Sequence, residues 1–238
     1  MRCSFASSEP ACPRTGSASL PYLRTHVVLL LLAAFAPQRS ATSAEGAPTI
    51  TYRLDCQASH MLMHTLTEGL LSSFAPDYTF AFTSFSGTLT LTADTLVPAS
   101  FAMRTEADSI RLTDRVSEEE RRERERMLRE EILETDTYPE MLYRSTGISM
   151  ARDSAGSHRA SIEGTLTQHG VTRSCPMTVS VTFPDGGDRP GDTVRLHGEF
   201  SIRQSDYGMT PMTFVFGTVR VRDRVVISFD LVARRQEG

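Results

Sequence analysis

Lysine is missing from the chain: all 25 basic residues among its 238 are arginine, a bias that follows base composition and selects no function. Long apolar runs are missing too. The run Val27–Ala36 has ten residues, and a helix that crosses the hydrocarbon core of a bilayer needs roughly twenty, which argues against a permanent transmembrane anchor. Cysteine is scarce, with four in all, at 3, 12, 56 and 175. Catalytic signatures are also lacking. There is no G-x-S-x-G elbow, no H-E-x-x-H pair and no Gly-rich phosphate loop, and nothing in the spacing of the isolated Ser, His and Asp residues brings them together as a triad. The chain therefore reads as a binding protein and not as an enzyme.

The N-terminus has the layout of a secretory signal. Arg24 and His26 precede the apolar run, and the small residues Ser40-Ala41-Thr42-Ser43-Ala44 follow it. Cleavage after Ala44 is expected, which leaves residues 45–238 as one domain in a secreted or periplasmic protein. The next cysteine is Cys56, too far along for a lipid-modified cysteine at the new terminus. Losing residues 1–44 leaves 21 basic and 28 acidic residues, a net charge near −7 that does not favour a phosphate-binding surface. Cys56 and Cys175 remain. An oxidising compartment permits a bridge between them, while two small buried hydrophobes are the equal alternative.

From residue 79 onward apolar and polar residues alternate with period two between Gly, Pro, Asp and Ser breaks, the pattern of strands buried on one face. The runs are Thr79–Phe82, Gly87–Thr92, Ser100–Asp108, Glu140–Ser149, Ala160–Gln168, Pro176–Phe183, Thr193–Arg203, Thr213–Val221 and Val225–Val232. Eight or nine successive strands with almost no helix predict an all-β sandwich or barrel. The Gly- and Asp-rich stretch 185–192 predicts a hairpin loop, and Arg222-Asp223-Arg224 a tight turn.

One segment departs from this pattern. Ser117 can cap a helix over about 118–133, with Glu118, Glu119 and Glu120 in its first turn. Glu118–Arg122, Glu120–Arg124 and Glu125–Arg129 are spaced as i,i+4 pairs. Met127, Leu128, Ile132 and Leu133 lie in the second half, so that half is expected to dock and the charged first half to stay solvated.

Strand parity nominates the residues that meet inside. Met141 and Tyr143, Ile162 and Leu166, Met177, Val179, Val181 and Phe183, Leu196, Phe200 and Ile202, Phe214 and Phe216, and Val225, Ile227, Phe229 and Leu231 each share a face. Periodicity does not choose between a solid core and a barrel with room for a ligand.

Three phrases carry a resemblance. Gly164-Thr165-Leu166-Thr167-Gln168-His169-Gly170-Val171-Thr172-Arg173 is similar at nine of ten positions to the G-x-L-T-x-H-G-V-T-(K/R) segment of the YceI-like family of exported polyisoprenoid-binding proteins. Tyr138-Pro139-Glu140-Met141-Leu142-Tyr143-Arg144-Ser145 resembles its Y-P-x-(I/A)-x-F-x-S segment. Ile202-Arg203-Gln204-Ser205-Asp206-Tyr207-Gly208-Met209 resembles I-N-R-S-D-F-G-(I/M). Asp55, Ser59, His64, Phe85-Ser86-Gly87 and Ala107-Asp108-Ser109 add weaker matches. After Asp114 the charged helix replaces a stretch in which the family commonly carries a His.

The resemblance implies an extended, lipocalin-like antiparallel barrel of about eight strands with a helix near its mouth. Its partner would be a long apolar lipid such as a polyisoprenoid, an isoprenoid quinone or a fatty amide, held for storage or transport, with no other cofactor. Combined with the parity, it nominates Phe80, Phe82, Leu89, Leu91, Phe101, Met103, Met141, Tyr143, Ile162, Leu166, Met177, Val179, Phe200, Ile202, Phe214, Phe216, Ile227 and Phe229 as the cavity wall. Monomer and homodimer both remain open.

Two rival readings stand beside this one. His60-Met61-Leu62-Met63-His64 offers soft ligands suited to copper in a periplasmic metal-binding or stress-response protein. On a strand, however, the two His share one face and the two Met the other. The second rival is a filled barrel that serves as an interaction module through the 118–133 helix. His169 is expected to be a structural turn histidine, with Gly170 supplying a backbone angle that side chains resist. Arg203, Ser205 and Asp206 are expected to form a hydrogen-bonded corner.

Overall fold

The structure is a computed structural model that describes residues 49–70, 73, 76–92, 98–152, 158–185, 191–214 and 218–236. The expected signal and its cleavage site, Phe216, and residues 186–190 of the predicted hairpin loop lie outside the described residues. The strands are β1 (Thr49–Leu54), β2 (His60–Thr65), β3 (Thr67–Glu68), β4 (Tyr78–Phe82), β5 (Phe85–Thr92), β6 (Pro98–Glu106), β7 (Ile110–Leu112), β8 (Glu140–Arg152), β9 (His158–Gln168), β10 (Val171–Ser174), β11 (Met177–Thr182), β12 (Thr193–Arg203), β13 (Thr213–Phe214), β14 (Val219–Val221) and β15 (Arg224–Arg235). The helix α1 spans Glu118–Met127.

Eight antiparallel staves close a barrel in the order β1-β5-β6-β8-β9-β11-β12-β15, and β15 returns to β1. Closure rests on β15. Along its whole length it pairs with β12, while its other edge carries β1 opposite Ala233–Arg235 and β2 opposite Val226–Asp230. A closed ring leaves no long edge for another chain to pair with.

Three neighbouring staves break at one level. The first is interrupted between β1 and β2 by a 3-10 turn at Cys56–Ala58, the second between β4 and β5 at Thr83-Ser84, and the third between β6 and β7 by a 3-10 turn at Ala107–Ser109. The breaks are stitched to one another. Thr83 N–H donates to Ser109 O, Glu106 N–H to Ser84 O, and the Ser109 hydroxyl to Glu106 O. Such local breaks bend a sheet and end its pairing, which is why they collect at barrel rims.

Beyond the seam β7 pairs with β4 on one side and meets α1 on the other. There two side chains one helical turn apart stand in for a strand. The Glu125 carboxylate accepts from Leu112 N–H at 3.0 Å, and the Arg121 guanidinium donates to Leu112 O. Glu125 is buried, and Arg129 lies 3.6 Å from its carboxylate. The expectation that the first half of the helix is merely solvated is therefore corrected: Arg121 and Glu125 turn inward because β7 presents backbone groups that need partners, and Glu120 and Arg124 turn toward Tyr78 and Phe214. Ser117 caps Glu120 N–H as expected. Glu120 pairs with Arg124 and Glu125 with Arg129, whereas Glu118 pairs with Arg121 and not with Arg122. The α-helix ends at Met127 and passes into a π turn, Leu128–Ile132, that buries Leu128, Ile132 and Leu133.

The expected strand over Thr213–Val221 is not a barrel stave. It is divided into β13 and β14, which with β3 form a separate three-stranded flap. The remaining parity holds. Of the residues nominated for the interior, those on β9, β11 and β15, with Tyr143 and Leu196, are buried, while Met141, Phe200 and Ile202 are partly buried against the same cluster. The sequence Cys175-Pro176 separates β10 from β11, which both pair with β9 and so make one stave.

Glu125→Ala should leave the buried Leu112 N–H without a partner and destabilise the protein by about 1–3 kcal/mol. Denaturant unfolding gives the magnitude, and faster hydrogen exchange at the Leu112 amide localises it to the β7 edge.

Candidate functional site

The barrel interior is divided along its length. At one end Tyr52, Leu91, Val194 and Ala233 are fully buried and fill the space. At the other, under α1 and the flap, lies a cavity of about 440 Å³. Ligand pockets run from roughly 300 to 1,000 Å³.

Tyr143 lies at the boundary between the two halves. It is 1 % exposed, lines the cavity, and donates its hydroxyl to Cys175 O at 3.1 Å. Its ring crosses β9 at Gly164, where a Cβ would come within 2.6 Å of Cζ and closer still to the hydroxyl. Glycine is therefore required at 164 for packing, because no side chain fits beneath that ring. Phe101 packs its ring 5.9 Å from Tyr143 on the filled side.

Ten of the residues nominated from the sequence line the cavity: Phe80, Phe82, Met103, Met141, Tyr143, Leu166, Phe200, Ile202, Phe214 and Ile227. Phe214 does so from the flap. Leu89, Leu91, Phe101, Ile162, Met177, Val179 and Phe229 are buried in the hydrophobic core and are not on the cavity wall. Parity identified all of them as inward-facing, but position along the barrel axis decides which meet open space.

The roof comes from segments that strand alternation does not reach. Leu128, Ile132 and Leu133 descend from the π turn, and Met212, Val219 and Val221 from the flap and its approach. Arg124 joins the two parts of the roof. Its guanidinium carbon lies 4.8 Å from the Phe214 ring centre and 5.3 Å from that of Tyr78. The Tyr78 hydroxyl donates to Glu120 at 2.6 Å, and Glu120 lies 3.9 Å from Arg124. Burial, followed by this carboxylate, raises the Tyr78 pKa. Cation–π contacts contribute most where water is excluded. Arg124, Gln168 and Gln204 line the cavity and were missed by sequence reasoning; Gln168 was visible as an inward position two residues beyond Leu166.

The string His60–His64 forms β2 with the expected parity. Met61 and Met63 are buried and line the cavity, while His64 stays on the outer face between Ser228 Oγ at 2.8 Å and Thr79 Oγ1 at 3.3 Å. His and Met therefore do not converge. Among the described residues no group of three His, Cys, Asp or Glu side chains is placed to hold a metal ion. His169 and Gly170, at φ 48° and 71°, form the two-residue turn between β9 and β10. His169 Nδ1 lies 3.1 Å from Tyr207 O, and its ring is 4.3 Å from that of Tyr138, the structural role expected of it. At the predicted corner Ser205 donates its N–H and hydroxyl to Asp223, and Arg173 donates to Asp206 O.

Cys56 and Cys175 are both free thiols. Burial pushes Cys175 up to about 11 and Tyr207 up to about 12, and raises Tyr143 in the same direction.

The sequence profile of the YceI-like domain matches residues 52–233. A comparison with curated proteins finds no match. Solved structures similar in fold include the following two. BcnA of Burkholderia cenocepacia is 19 % identical, with 75 % of this chain and 98 % of that one covered and a TM-score of 0.56. A polyisoprenoid binding domain from Saccharophagus degradans, implicated in plant cell wall breakdown, is 15 % identical, with 78 % and 98 % covered and a TM-score of 0.54.

The raised Cys175 pKa couples stability to pH. The folded protein keeps this proton while an unfolded thiol, with an ordinary value near 9, loses it. Stability should therefore fall as pH rises from about 9 to about 11, and the tyrosines extend the decline in the same direction. Melting temperatures between pH 8 and 11 should drop less steeply for Cys175→Ala than for the parent.

Proposed function

Because this chain belongs to the YceI-like family, we propose that it is an exported lipid-binding protein that takes a long apolar chain into the barrel under α1 and the flap. Storage or transport is its role, and no catalytic step is part of the reading. The observation that carries it is the cavity of about 440 Å³ between the filled half of the barrel and the roof, with a wall of mainly Phe, Met, Leu, Ile and Val. Burying a methylene contributes about 0.8 kcal/mol, so a chain that fills this space gains several kcal/mol even after the cost of immobilising it. A wall of hydrocarbon and thioether suits this use, since Met adapts its shape to irregular ligands.

The lipid is a polyisoprenoid, an isoprenoid quinone or a fatty amide. Export to the periplasm or beyond follows from the N-terminal segment and is tested by cell fractionation. Among the described residues no helix is long and apolar enough to cross a membrane.

Native mass spectrometry of protein purified without detergent should reveal a lipid bound one to one, which organic extraction then identifies. Protein that is repeatedly isolated empty and that also refuses added lipid would remove the proposal. Met103→Trp, which places an indole in the cavity opposite Tyr143, should weaken lipid binding at least tenfold while leaving the circular dichroism of the barrel intact.

A further inference from the structure

Resting on the lipid-binding reading, we infer that the ligand enters and leaves the chamber sideways, through a split in the barrel wall between the β10–β11 stave and the end of β12, and that Arg173 is the bar across this split. The pairing of β11 with β12 stops at Thr178 and Glu199. Beyond it β12 runs on through residues 200–203 with β15 as its strand partner, while β10, on the other side of the gap, pairs with β9. Pro176 ends the pairing. Cys175 N–H is turned to β9, where it donates to Gly164 O at 2.8 Å. Successive backbone N–H groups of a strand serve alternate edges, so residue 176 would be the one to reach β12, and proline has no N–H to give.

Two positions mark the opening. Phe200 and Ile202 line the chamber and also a second hollow of about 860 Å³ outside the split. On the same face of β12, Val194 and Leu196 are buried where β11 is still alongside. Arg173 stands directly opposite Leu166 and so shares its inward face. Leu166 is buried on the chamber wall, whereas Arg173 is exposed. An inward position of a sealed barrel would carry an apolar side chain. Here the guanidinium instead spans the gap, and its Nε donates to Asp206 O at 3.1 Å on the 3-10 turn that follows β12.

The roof is tied more firmly. Arg124 joins α1 to Phe214 of the flap and to Tyr78, Arg220 of the flap pairs with Glu68 on β3, and Arg222 N–H donates to Leu66 O. Lifting the roof breaks all of these, whereas widening the split breaks no strand pairing and begins with one exposed hydrogen bond, whose net contribution is small. A hydrocarbon that passes over Phe200 and Ile202 also stays against apolar side chains on its way from the hollow to the chamber.

The test is kinetic. Stopped-flow mixing of delipidated protein with cis-parinaric acid, a linear lipid that fluoresces in apolar surroundings, reads uptake, and a chase with excess oleic acid reads release. Arg173→Ala should speed both by the same factor, about fivefold for one net hydrogen bond, and leave Kd unchanged, because the bar is broken only in transit. Ser174→Cys, in a background otherwise free of cysteine, puts a thiol on the exposed rim of the split. Coupling it to a polyethylene glycol maleimide should slow uptake and release together by about tenfold. The same adduct on Thr213→Cys, exposed on the flap, should leave both rates as they are in the uncoupled variant. Rates unchanged by Arg173→Ala, a rim adduct that does not slow exchange, or a flap adduct that slows it as much would each overturn the lateral route while leaving lipid binding intact. Failure of the parent to take up cis-parinaric acid at all would instead remove the lipid-binding reading, and this inference with it.

Discussion

The fold depends on one strand holding both of its edges. β15 is paired along its whole length with β12, and its opposite edge is shared between β1 and β2. Since side chains alternate across a strand, this double pairing fixes which residues of β12, β15 and β2 face inward. Met61, Met63, Val225 and Ile227 consequently form one continuous apolar surface under the roof. Were that strand to slip by a single position, the oily face and the arginine-bearing face would change places.

Ring closure alone would give a uniform barrel, and the seam of breaks makes it asymmetric. Where β1, β5 and β6 are interrupted, the wall bends and β7 is turned toward α1 instead of a neighbouring strand. The helix completes the wall with side chains, Glu125 and Arg121, in place of a ladder of backbone hydrogen bonds. A strand contributes a narrow inward ridge, whereas a helix and a π turn set Leu128, Ile132 and Leu133 further out and leave a chamber between them. Open space in this molecule is a consequence of replacing sheet by helix over part of the circumference.

Much of this was legible from residue order. Alternation located the longer barrel strands from β4 onward, though not the short β7 and β10, and the correct face of nearly every one, because burial on a single side imposes period two regardless of partner. The motif around Gly164–Arg173 led to the family and so to a closed barrel in place of a sandwich. Three things were hidden. The short strands β3, β13 and β14 have too few residues to show a period, so Thr213–Val221 read as one stave. The inward turn of Glu120, Arg124 and Glu125 was hidden because a charged helical face looks the same whether it meets water or the bare edge of a strand. Which apolar residues meet open space was hidden because it depends on height along the axis, which periodicity does not encode; thus Leu89 and Phe80 look alike in sequence, yet only the second lines the chamber.

The turn at His169-Gly170 acts at a distance from its own few atoms. Two successive left-handed residues make the tightest reversal available between antiparallel strands, and they leave Gln168 directly opposite Val171. A tight reversal counts residues: one more or one fewer would rotate the end of β9, exchange Thr167 with Gln168, and turn an amide of the chamber wall out into solvent. The polarity of the chamber is in that sense written in the length of a loop that is not part of its wall.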